Sequence, residues 1–315
     1  MNLYLCTNPR IVIAQRPDDA DKVEKGLKLF ETLVEIKHLA LLVKEVYVSF
    51  ANLPPLSDDS VQIGGLIRQL ENIKKIWFKD EGENWWESEK NAKMPDDLMF
   101  LRVILSRTQQ LETLALPQVR FRPIETFHLL NSLKHLTTFK GELHAPSSGS
   151  RLKLRFTHLY VTRHAHRRDL EYYINPCSLT LRYLHLNFDG ETPLIPLDKL
   201  RNLEQLVITV DGQSAHCYLA LTYSTNFDPF LKSCKYLPLL SSFALNFENV
   251  VPMFSRIFCK EMFAGGLPIK LEEFAVGPEP PIMFTWRTFL DHALPRLKTL
   301  HLIEAGQVVG CTGDR

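Results

Sequence analysis

The chain of 315 residues sets 37 Lys and Arg against 36 Asp and Glu, a formal net charge of +1, and 45% of it is hydrophobic. That balance excludes a disordered tail and leaves no global field for nucleic acid or an anionic membrane, so electrostatic partner choice has to be local. No apolar run approaches the roughly 18 residues that a spanning helix needs, and Met1 to Gln15 lacks a basic n-region, so the expectation is a soluble chain without signal peptide or membrane partner.

From the N-terminus, Val23, Leu27, Phe30 and Val34 recur at helical spacing behind Pro17-Asp18-Asp19, an acidic turn suited to a helix start. The segment 1–35 is therefore expected to be a helical cap, with a repeat domain over 36–315. A phrase of the form L-x-x-L-x-x-L-x-L then recurs about ten times. Its clearest copies are Leu70-Ile73-Ile76-Phe78, Leu200-Leu203-Leu206-Ile208, Leu237-Leu240-Phe243-Leu245 and Leu294-Leu297-Leu300-Leu302. The closing step of two leaves any helical face, so each copy ends in a strand. Degenerate copies close at Val46 and Val48, Leu114 and Leu116, Phe139, Leu159 and Val161, Leu184 and Leu186, and Phe274 and Val276. The strand-opening residues are spaced 20 to 38 apart. Some connections read as helical: Leu98, Leu101, Ile104 and Leu105 follow Pro95-Asp96-Asp97, and Phe254, Ile257, Phe258 and Met262 end at Gly265-Gly266. Repetition at such periods predicts an α/β solenoid, a curved stack of about ten irregular strand-helix units with a parallel sheet on the concave face.

Strand parity divides the side chains. With the phrase residues in the core, the alternate ones reach the concave surface. These include Lys75, Trp77 and Lys79; Thr113 and Ala115; His158, Tyr160 and Thr162; Tyr183, His185 and Asn187; Gln205, Val207 and Thr209; Ser242, Ala244 and Asn246; Thr299 and His301. Lys75, Trp77, Lys79, His158, Tyr160, Tyr183, His185, Asn187, Gln205, Thr209, Asn246 and His301 are the candidate protein-binding residues, because aromatics among polar groups suit an interface.

The repeated phrase resembles the leucine-rich repeat over roughly Ile36 to Ile303, and the stretch from Gly26 to Val46 looks like the segment preceding the repeats of fungal F-box-like proteins. One departure stands out: the family's Asn three residues beyond L-x-x-L-x-L is absent from every copy, its place taken by Glu81, Asp189, Asp211, Glu248 or Glu279 in five of them. No F-box is recognisable, and Leu53-Pro54-Pro55-Leu56 reads as a connection. The resemblance implies a recognition module without cofactor. It also implies a substrate-receptor role with ubiquitin-ligase subunits as partners, if an F-box is encoded upstream; a ubiquitin-independent scaffold or regulatory binding solenoid is the alternative.

Two further sites compete. The acidic connection with Trp85 and Trp86 reads either as a partner anchor or as an insertion folded back on the repeats. Arg151, Lys153, Arg155, Arg163, Arg167 and Arg168, with His158, His164 and His166 among them, read either as a solvated rim or as a surface for phosphates or an acidic peptide. Neither a metal site nor nucleic acid is expected there, since no ligand set is completed and no nucleic-acid motif spacing occurs. Signatures of phosphate-binding loops, nucleophile elbows and zinc proteases are missing, so the expectation is no enzyme. Cys6, Cys177, Cys217, Cys234, Cys259 and Cys311 are scattered without C-x-x-C, which favours a reducing compartment, cytoplasm or nucleus.

Overall fold

The computed structural model describes residues 10–13, 28, 31–32, 35–50, 69–80, 108–116, 123–146, 151–162, 165–188, 197–211, 230, 233–248, 270–277, 297–304 and 307–312. Its strands are β1 (Arg10–Ile13), β2 (Glu45–Phe50), β3 (Lys75–Asp80), β4 (Thr113–Ala115), β5 (Thr138–Gly141), β6 (His158–Val161), β7 (Tyr183–Phe188), β8 (Gln205–Asp211), β9 (Ser242–Glu248), β10 (Glu273–Gly277), β11 (Thr299–Glu304) and β12 (Gln307–Thr312). Helices α1 (Lys37–Ala40), α2 (Pro123–Ser132) and α3 (Arg167–Ile174) lie among the connections.

The chain comprises two compact units. The first comprises Met1–Gly141 with Pro146–Ser150, the second Glu142–Ala145 with Arg151–Arg315. In the first, β1 to β5 pair in sequence order, all parallel. In the second, β6 to β11 do the same, and β12 returns antiparallel on β11. The chain is thus α/β, with open parallel sheets.

The step of three in L-x-x-L has a local cause. The amide of the second residue donates to the carbonyl of the first, as in Val43 to Ala40 (3.2 Å), Leu111 to Thr108 (3.1 Å), Leu136 to Leu133 (3.1 Å) and Leu203 to Leu200 (3.1 Å). Each is a turn closed between residues i and i+3, which delivers both side chains to the same side before the strand begins. Two consecutive amides then share one carbonyl of the preceding repeat. Lys74 and Lys75 donate to Lys44 O, Glu112 and Thr113 to Lys74 O, and Thr137 and Thr138 to Glu112 O. In the second unit the acceptors are Thr157 O, Arg182 O, Glu204 O, Ser241 O and Glu272 O.

Side chains reinforce this seam. Asn72 donates to Leu41 O (2.9 Å) and Asn202 to Leu179 O (2.6 Å), each from the turn one repeat on. Hydroxyls act similarly, with Thr180 donating to Phe156 O (2.9 Å) and Thr137 to Glu112 O (3.3 Å). Opposite charges face each other just before the strands: Lys74 and Glu112 at 2.6 Å, Arg182 and Glu204 at 3.6 Å, Lys298 and Glu272 at 2.9 Å.

Phrase residues supply much of the core. Ile73, Ile76, Leu111, Leu114, Leu136 and Phe139 are buried in the first unit, and Leu181, Leu184, Leu203, Leu206, Leu240, Phe243, Leu271 and Phe274 in the second. Fully burying such a side chain contributes about 1.5 to 3 kcal/mol. Register aligns them across the sheet: Leu159 opposes Leu184, Leu184 opposes Leu206, Leu206 opposes Phe243, and Phe243 opposes Phe274. The expected core positions Leu297 and Leu300 are only half-buried.

Helix α2 opens on Pro123, a residue suited to a first turn because its missing amide would have no partner there. Helix α3 carries Asp169 in its first turn and buries Leu170, Tyr173 and Ile174. Asp169 accepts the Ala145 amide at 2.6 Å, and the Tyr173 hydroxyl donates to His144 O at 3.2 Å, fastening residues 144–145 to the helix. Within 1–35, Arg10–Ile13 joins the sheet as β1, and Lys28, Glu31, Thr32 and Glu35 are helical. The Ile36 amide donates to Thr32 O, as a helix continuing to that point requires. The helices expected after Pro95 and before Gly265 lie outside the described residues.

Candidate functional site

Parallel register fixes which polar-face side chains meet. Neighbouring strands stand about 4.8 Å apart, so residues paired in register form rows across the sheet of the second unit. One row runs His158, Tyr183, Gln205, Ser242, Glu273, Thr299; the next runs Tyr160, His185, Val207, Ala244, Ala275, His301. The first two strands carry nearly all the rings. Tyr160 and Tyr183 meet with centroids 4.5 Å apart, His158 and Tyr183 stack at 5.9 Å, and Tyr160 meets His185 edge-on at 6.2 Å. All four are half-buried.

Packing alters their ionisation. Burial raises the Tyr160 hydroxyl and, with Tyr160 beside it, pushes Tyr183 up to about 12. His158 is lowered, first by burial and then by the Arg182 guanidinium, with Glu204 opposing. Burial thus favours the neutral forms of Tyr160, Tyr183 and His158.

A third row begins at Asn187, whose amide donates to Thr162 O at 3.1 Å, and continues through Thr209 and Asn246. Thr209 corrects the parity rule: it is 4% exposed, although it lies on the polar face. His185 Nε2 stands 2.8 Å from its hydroxyl, and larger asparagines flank it in register, so a short side chain is covered by its neighbours. Asn246 is half-buried and Gln205 exposed. Among the described residues, Asn187 Oδ1, Thr162 Oγ1 and His301 Nδ1 are buried without a hydrogen-bond partner.

His301 does not join the cluster. Val207, Ala244 and Ala275 separate it from His185, a span of four strand spacings or roughly 19 Å. The result is a shelf of small side chains with aromatic groups at one margin and a histidine at the other.

No family model matches this chain, and no curated protein matches it either. The site therefore stands on its own geometry.

In the first unit the same face is closed more tightly. Thr113 and Ala115, expected at the surface, are 7% and 3% exposed. Ala115 lies between the longer Trp77 and Lys140 in register, and Thr113 between the longer Lys75 and an equal Thr138. The Trp77 indole N–H donates to Glu45 Oε1 at 2.8 Å, and Lys75 Nζ stands 3.7 Å from the same carboxylate. Glu45 opens β2 one residue before the phrase residue Val46, as Lys75 opens β3 before Ile76, so parity puts it on the polar face as well. The side chain of Lys79 and the Trp85-Trp86 connection lie outside the described residues.

Among the described residues no group of three or more His, Cys, Asp or Glu could hold a metal ion, and no helix is long and apolar enough to cross a membrane. Cys177 and Cys234 are free and buried. Burial raises the Cys177 thiol and pushes Cys234 up to about 12.

Proposed function

We propose that the chain is a degenerate leucine-rich-repeat solenoid that binds a protein partner, without catalysis, on the polar face of its sheet. The observation that carries this reading is the Tyr160, Tyr183, His158 and His185 cluster, whose rings lie on the face opposite the core. Aromatic side chains give large contact area at low entropic cost, and those stacked on each other have little conformational freedom left to lose. The adjoining Val207, Ala244 and Ala275 leave room for a partner segment beside them. Buried, free Cys177 and Cys234 accord with a reducing compartment such as cytoplasm or nucleus.

The test is replacement of Tyr160, Tyr183 and His185 together by Ala. Capture of the partner identified with the native chain should be lost while the melting temperature falls by only a few degrees. Undiminished capture by the folded triple variant would refute the reading. A substrate-receptor role in a ubiquitin ligase rests on the sequence resemblance, and co-purification of ligase subunits with the full chain decides between it and a ubiquitin-independent scaffold.

A further inference from the structure

Ahead of β6, residues 151–156 alternate without exception: Arg151, Lys153 and Arg155 are exposed, while Leu152, Leu154 and Phe156 are buried. Period-two burial is the mark of an extended chain, in which alternate residues lie about 6.6 Å apart on one side. The buried side is anchored. Phe156 donates its amide to Cys177 Sγ at 3.2 Å and accepts the Thr180 hydroxyl at 2.9 Å, and its ring stacks on Tyr173 at 6.5 Å. The three cations are consequently held as a row on a fixed backbone.

Charge is also segregated here. Residues 151–182 contain seven Lys and Arg (151, 153, 155, 163, 167, 168, 182) and two acids (169, 171), so this stretch carries +5 and the rest of the chain −4. Within the stretch, Asp169 is buried against the Ala145 amide, Glu171 pairs with Arg167 at 2.7 Å, and Arg155 Nη1 donates to Leu154 O at 3.1 Å.

We propose that the Arg151, Lys153 and Arg155 row docks an extended acidic peptide with carboxylates at alternate residues. An extended peptide places such carboxylates at the same spacing as the cations. A long polyanion such as nucleic acid would continue past the row and meet a chain whose remaining charge is negative, so the short acidic peptide is the better match. Exposed pairs of this kind are screened by salt, so binding should be fast and salt-sensitive.

The experiment uses the full chain and a fluorescein-labelled peptide of alternating Glu and Ser, followed by anisotropy. Raising salt from about 50 to 300 mM should weaken binding roughly tenfold or more. Joint replacement Arg151→Gln, Lys153→Gln and Arg155→Gln should do the same without lowering the melting temperature, whereas Arg151→Lys with Arg155→Lys should keep most of it. The variant with Tyr160, Tyr183 and His185 changed to Ala should bind the peptide normally, which separates this surface from the sheet face. Equal binding of a Gln-Ser peptide to the native chain overturns the proposal without any variant. So does retained binding by the Gln variant, loss on changing the three sheet-face residues, or tighter binding of a single-stranded oligonucleotide of equal charge.

Discussion

Strands β8 and β11 look alike in the sequence and fare differently in the fold. Leu203, Leu206 and Ile208 are all fully buried, whereas Leu297 and Leu300, at the matching positions, are only partly buried. β8 has a parallel repeat on each side, each contributing its own turn and strand leucines. β11 has such a neighbour only in β10, because β12 arrives as the return arm of a hairpin. The phrase decides which way a side chain points. Its burial depends on a second repeat arriving from the other side.

The sharpest way to break that contrast is truncation at the two matched leucines. Leu206→Ala should destabilise by about 2 to 5 kcal/mol, through lost burial and the cavity left behind. Leu300→Ala should cost about 1 to 2 kcal/mol, since part of its surface already meets solvent. Equal losses in denaturant titrations would show that position in the stack does not govern burial. At the first unit's last strand, Gly141→Ala should cost about 1 to 3 kcal/mol. A methyl there would sit 2.8 Å from the buried Phe139 ring, and urea midpoints measure the effect.

Smaller effects sharpen the comparison on the polar face. Trp77→Phe removes a charge-assisted bond to a carboxylate that is only 13% exposed, and should cost about 1.5 kcal/mol in chemical unfolding. Lys74→Gln breaks a pair whose side chains are both 45% exposed; a loss under about 1 kcal/mol, vanishing in high salt, is expected. Last comes His158, whose lowered pKa means the unfolded chain takes up its proton first as pH falls below 6.5. The folded state loses stability through that window and no further once the folded pKa is passed. Melting curves from pH 7 to 5 should fall less steeply for His158→Gln.

All ten strands marked by the phrase exist, because a turn closed at i+3 followed by period-two alternation leaves an imprint that no helix reproduces. Strands β1 and β12 lack the repeated phrase in the sequence, so nothing marked them. Helix α3 was legible only in Leu170, Tyr173 and Ile174, a run too short to declare a face among the surrounding cations. The polar row was assigned to the right side of the sheet, yet Thr113, Ala115 and Thr209 are covered. Parity reports direction, and cover depends on the length of the flanking side chains in register, which lie 20 or more residues away in the chain. The pairing of Tyr160 with Tyr183 needed the register itself.

The paired amides that converge on a single carbonyl at each strand opening have a consequence for how such a chain varies. Alignment of one repeat on the next is set by main-chain atoms, so no particular side chain at Lys44, Thr157, Ser241 or Glu272 is required for it. Substitutions there leave the alignment intact, and a connection can lengthen without shifting the strand that follows it, as spacings from 20 to 38 residues show. A stack built this way can drift far in sequence before its geometry changes, and little of its ancestry then survives in the letters.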